Sequence, residues 1–581
     1  MKRVLLFAMF LTFFVTTSFL PALCQTKTLW EIGKYDQSAA EFKASQSDHV
    51  VYHAGKSDWA QDWPAGQRTG STYEIQFNLD AAPQGVYVLK ISLLTSYLRT
   101  PDMQVEINGH KGTFYVRSKP LYTTNDALLT VELPTKYMVK GENSLVLSPI
   151  STETSSAGSD APFESIRYDF IGMTNDPHTT YSQDDVRADV VPTVFYQQRE
   201  GKLVEAVDAY LRFGQKNLVG HAVLTLNGKS YSAEVAARND FGEERLEFEV
   251  LEWQGTAAAT LNVAAGIHRN FNLPLTAERK WTLFVVPHTH VDIGYTDYQG
   301  KVAENQAETL VEAADLINKY PDFRFATDGS WNLQQLLETR SQPERDEILG
   351  LVRSNKIGVP ADYFNLLTGY ASLETLYRSL YYTKKLAREY NLPFDYATTT
   401  DVPSYTGAYP SVLASAGIKY WAVGANQDRA PVLEHEYWNE KSPFWWEGPD
   451  GNKVLFWYSW GYSETRRFFT LDPTNTPIHE SLPQFLASYD KPAYKPDAVL
   501  IYGAQDENTD LHPQLATFAA TWNQSYAYPR LRYSTFADFF SYIDQHFGAE
   551  LPTYKGDMGP YWEDGIGAVS YTHLRAHETG R

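Results

Sequence analysis

The chain has 581 residues, which is too long for one hydrophobic core, so about three or four domains are expected. Its 50 basic and 70 acidic side chains give a formal net charge of −20, which disfavours binding to nucleic acid or to anionic membranes. Aromatic residues make up 14% of the chain, a content that suits packed domains and clefts that stack on sugar rings.

The N-terminus has the pattern of an export signal. A basic start and an apolar run over residues 2–20 are followed by Ala22 and Cys24, small residues that favour cleavage before Gln25. We expect residues 1–24 to be a signal peptide of a periplasmic or secreted bacterial protein with no stable membrane span after cleavage. Lipidation of Cys24 and an uncleaved anchor are the alternatives, although the apolar run is short for a span. Cys24 is the only cysteine, so the mature chain would have no disulfide and no thiol catalysis.

Two all-β domains follow. Residues 25–175 contain short alternating runs such as "STYEIQFNLDAAPQGVYVLKISLL", and "DMQVEINGHKGTFYV" predicts a hairpin with Asn108-Gly109 at its turn. We interpret this part as a jelly-roll β-sandwich. After a polar linker, "NDPHTTYSQDD", residues 186–279 contain further strands and an Asn227-Gly228 turn, which predicts a smaller immunoglobulin-like sandwich.

The segments around the tryptophans of the first domain resemble a known domain. "LWEIGKYDQSAAEF" and "DWAQDWPAG" resemble the carbohydrate-binding-like jelly-roll domain of rhamnogalacturonan lyases, with Trp30, Trp59 and Trp63 as the best matching positions. The resemblance implies glycan binding by this domain. The alternative is that these tryptophans are packing residues.

From Lys280 the pattern changes to alternating strands and helices. Buried-looking strands such as "WTLFVVP", "FDYATTTD" and "AVLIYGAQDEN" alternate with helical segments such as "GKVAENQAETLVEAADLINKY". This alternation predicts an α/β (β/α barrel-like) domain over residues 280–568. We expect this domain to be incomplete at its C-terminus and residues 570–581, "SYTHLRAHETGR", to be a spurious tail, with an ordinary disordered tail as the alternative.

Polar groups collect at the ends of the predicted strands. In "PHTHVDIGYT", His288, His290 and Asp292 are spaced two apart, so one face of the strand exit can carry all three. Histidine and aspartate are zinc-ligand types, although a hydrogen-bonded polar cluster would use the same residues. Further carboxylates end other predicted strands, at Asp328, Asp362, Asp401 and Asp506.

Aromatic residues near these carboxylates would provide walls for a sugar-binding cleft. Paired carboxylates in such a cleft are what glycoside hydrolysis needs, one as nucleophile or base and the other as acid. The expected substrate-binding residues are therefore Tyr295, Asp328, Asp362, Trp457, Trp460 and Tyr462. Core packing is the alternative for each aromatic residue.

These motifs resemble those of glycoside hydrolase family 38, the α-mannosidases. "PHTHVDIGYT" is similar to the family's HxHxDxGW motif, with Tyr295 in place of the tryptophan, and "TTTDVPSYTGAYPSVLASAGIKYW" is similar to its second motif, in which Pro410 follows Asp401 by nine residues. "AVLIYGAQDENTD" resembles the strand that carries the family's acid/base aspartate. The resemblance covers residues 281–568, about half of the chain.

The resemblance implies a role for each matching residue. His290, Asp292 and Asp401 would bind one zinc ion, Asp401 would also be the nucleophile, and Asp506 would be the general acid/base. His288 would support the site as a neighbour that orients or hydrogen-bonds a ligand. The family's second zinc histidine lies beyond the last residue of this sequence. The implied activity is a zinc-dependent retaining α-glycosidase that hydrolyses terminal α-linked sugars of complex glycans.

Two other functions remain open from the residues alone. One is a non-catalytic glycan-binding protein built on the β domains with a degenerate enzyme domain. The other is a zinc-dependent polysaccharide deacetylase, which also uses aspartate and histidine ligands on an α/β barrel. In all three cases the expected partner is an oligosaccharide or polysaccharide.

Overall fold

The structure, a computed structural model, describes residues 26–94, 101–117, 127–150, 165–178, 186–214, 218–426, 438–459, 461–465, 478–507 and 511–558. The predicted signal peptide, the expected tail and Trp460 lie outside these ranges. Within the described residues no helix is long and apolar enough to cross a membrane.

The first domain is made mainly of antiparallel strands, with one parallel pair, and has little helix. Its core contains the fully buried Trp63 and the largely buried Trp30, so both are packing residues. The predicted hairpin is confirmed, because Asn108 and Gly109 join two strands in register and both have positive φ. The elements are β1 (Lys27–Gly33), β2 (His49–His53), α1 (Trp59–Asp62), β3 (Gly66–Arg68), β4 (Thr72–Leu79), β5 (Val86–Leu94), β6 (Asp102–Ile107), β7 (His110–Phe114), β8 (Ala127–Leu133), a 3-10 turn (Thr135–Tyr137), β9 (Gly141–Ile150) and β10 (Ser165–Asp176).

The described residues of the second domain form seven strands, and Asn227-Gly228 forms the turn predicted for it. One face of each sheet is apolar and packs on the other, which gives this domain its own core. The strands are β11 (Val186–Arg199), β12 (Lys202–Phe213), β13 (Val219–Leu226), β14 (Lys229–Ala236), β15 (Phe241–Leu251), β16 (Thr256–Ala264) and β17 (His268–Thr276).

The two β domains share one sheet, which the strand pattern alone did not predict. An eight-stranded sheet runs in the order β11-β12-β15-β7-β6-β9-β4-β2, and β15 meets β7 in parallel where Phe241 pairs with Gly112. A side chain at Gly112 would begin 2.6 Å from the Phe241 ring, so this close approach requires glycine. The other two sheets, β1-β10-β5-β8 with β3 on β10 and β14-β13-β16-β17, each cover one half of the shared sheet.

The α/β alternation predicted from Lys280 onward is confirmed. The strands are β18 (Thr282–His290), β19 (Phe325–Ala326), β20 (Ile357–Gly358), β21 (Tyr396–Thr400), β22 (Tyr420–Gly424), β23 (Phe444–Glu447), β24 (Lys453–Ser459), β25 (Ala498–Glu507), β26 (Arg530–Tyr533) and β27 (Thr553–Lys555). The helices are α2 (Gln299–Lys319), α3 (Ser330–Thr339), α4 (Gln342–Arg353), α5 (Leu373–Arg378), α6 (Tyr381–Tyr390), α7 (Tyr409–Ser415), α8 (Trp438–Lys441), α9 (Ile478–Ala487), α10 (Leu515–Ser525) and α11 (Phe536–Phe547).

The expected barrel closure is not confirmed. The described strands form two five-stranded ladders, β20-β19-β18-β25 with β26 also on β18, and β21-β22-β24-β23-β27. Between them the backbone N–H of Ala361 donates to the carbonyl oxygen of Tyr396 at 2.7 Å, and Ser463 forms an isolated bridge with Gly503. β20 is short because Pro360 follows it closely and has no N–H for a ladder. The carboxyl ends of β18 and β21 nevertheless lie close together, and this positions the candidate site.

Candidate active site

His290 is the last residue of β18, and its ring is held by a buried carboxylate. Nδ1 of His290 lies 2.8 Å from Oδ2 of Asp328, and the two side chains are 3% and 1% exposed. The same Asp328 oxygen accepts from the Val291 backbone at 3.0 Å and from Asn365 Nδ2 at 3.0 Å. Asp328 accepts a hydrogen bond from the Nδ1–H of His290. A neutral His290 ring therefore carries its lone pair on Nε2, which faces the cleft.

The charges in this pair stabilise each other. Burial raises the pKa of Asp328, but the His290 imidazole outweighs it and holds that pKa at about 2. Burial likewise opposes the protonation of His290, but Asp328 and then Asp401 raise its pKa to about 10. The site therefore favours a positive charge between these two carboxylates.

Asp401 follows β21 and faces His290. Its Oδ2 lies 3.5 Å from His290 Nε2, and its Oδ1 accepts a hydrogen bond from Asn426 Nδ2. The Asp401 backbone has φ 71°, a left-handed conformation that is uncommon for a residue other than glycine, and its N–H donates to Gly424 at 2.9 Å. The side chain is 15% exposed, so one edge of this carboxylate is open to solvent.

Asp292 is half-buried beside the same two residues. Burial raises its pKa, His290 lowers it and Asp401 raises it, which places the three groups within electrostatic reach of each other. Within the described ranges no three His, Cys, Asp or Glu side chains are grouped closely enough to hold a metal ion. The residue types are those that zinc uses, because an imidazole nitrogen fixed by a buried carboxylate faces a partly open carboxylate, with a second carboxylate nearby, but these three side chains would have to move closer together to share an ion.

An aromatic ring covers one side of His290. The ring of Tyr462 lies 4.9 Å from the His290 ring, between centroids. Gly424 allows this approach, because a Cβ there would come within 2.9 Å of Tyr462. Tyr295 is 81% exposed on the loop after β18, so it is available to a ligand at the edge of the cleft. Both tyrosines thus lie beside the candidate site, and their contact with a substrate stays a prediction.

Three of the expected substrate-binding residues are not exposed to the cleft. Asp328 is buried behind His290 and orients it. Asp362 is buried, accepts from the Thr398 backbone at 2.9 Å, and has its pKa raised to about 8 by burial. Trp457 is fully buried and stacks on Tyr489 in the core. A substrate cannot reach these side chains without displacing the core, so their assignment to the cleft wall is corrected.

His288 is buried and makes no hydrogen bond that would orient a ligand. Neither of its ring nitrogens has a partner among the described residues, and its ring packs edge-on against Tyr502 at 4.9 Å. Burial lowers its pKa to about 4, so the ring is neutral. The structure therefore places His288 as a packing residue next to the site.

Asp506 lies at the end of β25, which pairs in parallel with β18. His288 is paired with Ala504 and His290 with Glu507, with an irregularity between them. The backbone of Asp506 is thus beside the end of the His290 strand, while its side chain lies outside the described part of the protein.

Two asparagines of the site were missed by the sequence analysis. Asn365 joins Asp328 to the next strand by accepting from the Thr400 backbone at 2.8 Å, and Asn426 holds Asp401. Both follow predicted strands at the same sheet edge as the carboxylates. The positional rule that found the aspartates would have found these amides if amide side chains had been considered.

Two parts of the chain match known protein families. Residues 280–557 match the glycosyl hydrolases family 38 N-terminal domain. Residues 28–173 match the CBM-like domain, polysaccharide lyase family 4 domain III. Both resemblances seen in the sequence are thereby confirmed, and the first match supports a glycoside hydrolase.

Solved structures that resemble part of this chain were also found. An α-mannosidase from Enterococcus faecalis V583 is 18% identical, with 48% of this chain and 31% of that chain covered and a TM-score of 0.39. A protein in glycosyl hydrolase family 38 from Enterococcus faecalis is also 18% identical, with 48% and 29% covered and a TM-score of 0.36. A 4-α-glucanotransferase from Thermococcus litoralis is 14% identical, with 45% and 40% covered and a TM-score of 0.32. The chain thus spans about a third of the length of the two Enterococcus proteins. A search of curated proteins gave no match.

Proposed function

We propose that the α/β domain is a zinc-dependent retaining α-glycosidase that hydrolyses terminal α-linked sugars, with α-mannosides as the first substrate class to test. The observation that carries the proposal is the position of His290, which Asp328 orients and whose Nε2 lies 3.5 Å from Asp401. The match of residues 280–557 to a glycoside hydrolase family supports the same chemistry.

In this proposal Asp401 and Asp506 divide the work of a double displacement. Asp401 attacks the anomeric carbon and forms a glycosyl ester, while Asp506 donates a proton to the departing oxygen. Asp506 then takes a proton from water, which attacks the same carbon and releases Asp401. The sugar leaves with its original anomeric configuration because the carbon is inverted twice.

The other residues hold Asp401 in place for attack. Asn426 donates to one of its oxygens, which leaves the other oxygen facing His290 and the cleft. His290, Asp292 and Asp401 would hold the zinc ion, which would supply a Lewis acid that grips sugar hydroxyls. Tyr462 and Tyr295 are the aromatic groups available to pack against the sugar.

Hydrolysis of 4-nitrophenyl α-D-mannoside by the purified full chain tests the proposal. We expect chelation of zinc and the Asp401→Asn substitution each to abolish the rate, and Asp297→Asn, a surface carboxylate paired with Lys301, to leave it unchanged. NMR of the first product should show the retained anomer. An unchanged rate in Asp401→Asn would contradict the proposal, and glycan binding without any sugar release would favour the non-catalytic alternative.

Export to the periplasm or the medium is the second part of the proposal. It rests on the basic start and apolar run of residues 2–20 and on the small residues before Gln25. N-terminal sequencing of the protein recovered from a bacterial host with active secretion should give Gln25 as the first residue. A mature protein that begins at Met1 would exclude export by this signal.

A further inference from the structure

His290 and Asp401 lie on different β ladders, although Nε2 of one is 3.5 Å from Oδ2 of the other. His290 ends β18 in the first ladder, and Asp401 follows β21, an end strand of the second. The chain beside β21 is the continuation of the short β20, where Pro360 has no N–H and the Ala361 N–H donates to Tyr396. The distance between the two site residues therefore depends on what joins β20 to β21.

Side chains complete this junction toward the site. The backbone N–H of Thr398 donates to Oδ1 of Asp362 at 2.9 Å, and the N–H of Thr400 donates to Oδ1 of Asn365 at 2.8 Å. Alternate N–H groups of a strand point to the same edge, so two side chains take the place of ladder carbonyl oxygens along β21. The Asn365 amide occupies the position directly before Asp401.

The Asn365 amide fits its two partners in one orientation. Its Nδ2 donates to Oδ2 of Asp328 at 3.0 Å, and the same oxygen accepts from Nδ1 of His290. Because a carboxylate oxygen accepts and the Thr400 N–H donates, an amide with its nitrogen toward Asp328 satisfies both. An aspartate in its place would repel Asp328, and an alanine would leave both partners without this hydrogen bond.

Two consecutive N–H groups hold the turn that carries Asp401. Asn365 accepts from the Thr400 N–H, and the Asp401 N–H donates to the Gly424 carbonyl at 2.9 Å. Asp401 has φ 71°, a conformation that a residue with a side chain keeps only where its surroundings hold it. The Thr400 hydroxyl is also fixed, at 2.8 Å from the Tyr502 hydroxyl. Release of the Thr400 N–H would free one side of the turn and let the Asp401 carboxylate move.

We propose that Asn365 is a positioning residue that sets the separation between His290 and Asp401. One end of its amide fixes the carboxylate that orients the His290 ring, and the other end fixes the backbone next to Asp401. Asn365 acts through these partners and not by contact with the sugar. This inference rests on the proposed function, because it concerns the residues assigned there to nucleophilic attack and to zinc.

Substitutions of Asn365 and of a matched asparagine test the proposal. Asn523 is the control: it is also half-buried, donates to the Leu531 carbonyl at 2.8 Å and accepts from the Leu531 N–H at 3.0 Å. Leu531 pairs with Leu283, at the opposite end of β18 from His290. Asn365→Asp and Asn365→Ala should each lower kcat for 4-nitrophenyl α-D-mannoside about tenfold or more, with a much smaller change in KM. Asn523→Asp and Asn523→Ala should lower the melting temperature comparably but keep the native kcat.

Two further measurements separate positioning from a general loss of stability. Asn365→Ala combined with Asp328→Asn should lose less activity than the product of the two single losses, because both changes break one network. The ¹⁵N spectrum of the zinc-free protein should show a shifted His290 imidazole signal in Asn365→Ala and a native one in Asn523→Ala. Loss of that signal in His290→Gln assigns it. This measurement needs no substrate.

A native kcat in Asn365→Ala, independent losses in the double variant, or an unchanged His290 signal would overturn the proposal. If Asn365→Ala does not fold, Asn365→Asp, which keeps the shape of the side chain, serves for the same comparisons. A native protein that cleaves no mannoside, together with a shifted His290 signal in Asn365→Ala, would contradict the proposed enzyme activity but support the link from Asn365 to His290. The two failures are therefore distinguishable.

Discussion

Asp328 holds His290 through a 2.8 Å hydrogen bond, and the same carboxylate oxygen also ties down Val291 and Asn365. One buried oxygen thus fixes a ring, the backbone after β18 and a side chain that reaches the next strand. Asp328 was expected to contact substrate, and the structure makes it a positioning residue. The orientation of His290 depends on it, which leads to the first prediction.

Asp328→Asn should lower the rate on 4-nitrophenyl α-D-mannoside. The amide can present its N–H₂ to Nδ1 of His290, which would favour the wrong tautomer, and losses of this kind are about 10- to 100-fold in metal sites. Steady-state kinetics with added zinc measures the effect, and Asp297→Asn is the control. Equal rates in Asp328→Asn and the native protein would show that the hydrogen bond does not matter for catalysis.

Asp401→Gly should be more stable than Asp401→Ala. The φ of 71° at this position costs a residue with a Cβ about 1 kcal/mol or more, whereas glycine adopts it freely. Thermal unfolding should give a melting temperature about 2–4 °C higher for the glycine variant, provided the α/β domain unfolds as one unit. Both variants should be inactive. A more stable alanine variant would mean that Asp401 is not strained.

Stability should fall as pH rises through the neutral range. Burial raises the pKa of Glu205 to about 7 from its ordinary 4.5, and burial and Asp490 do the same for Glu278. A raised folded-state pKa contributes stability that is complete below pH 4.5 and lost as pH increases through about 7. The slope per group should reach about 1.4 kcal/mol per pH unit within that window.

Glu205→Gln tests the origin of this pH dependence. Glu205 accepts a 2.9 Å hydrogen bond from the Glu278 backbone, which the amide oxygen of glutamine can also accept. Denaturant unfolding between pH 4.5 and 7.5 should give a flatter profile for this variant. Glu249→Gln, at an exposed ion pair with Arg199, should keep the native profile. An unchanged profile in Glu205→Gln would assign the effect to other groups.

Gly112→Val should weaken the junction between the two β domains. The new side chain would begin 2.6 Å from the ring of Phe241, and overpacking of this kind costs about 1–3 kcal/mol. Calorimetry should show a lower melting temperature or a separate transition for the β domains. Gly350→Ala, in a helix with open space around the new methyl group, should instead be neutral or stabilising. Equal stability of Gly112→Val and the native protein would mean that the sheets can separate there without cost.

Much of this architecture was predictable from local patterns. The two-residue period before Lys280 and the alternation of strands and helices after it predicted the element types, because side-chain direction in each element is a local property. Asn108-Gly109 and Asn227-Gly228 predicted their turns, since both positions require positive φ. The expectation that polar side chains at the ends of neighbouring strands lie together placed His290, Asp292 and Asp401 in one candidate site.

Tertiary packing decided the rest. Asp328 and Asp362 were expected in the cleft wall, but both are buried and accept hydrogen bonds inside the protein, and Trp457 lies in the core. The burial of a residue near a sheet edge depends on which other elements cover that edge. The joining of β7 to β15 arises between segments more than a hundred residues apart, which no local period encodes. The sequence by itself determined which elements form and where reactive groups collect. Only the three-dimensional contacts decided which of those groups face a ligand, because exposure is a property of the assembled layers and not of any single strand.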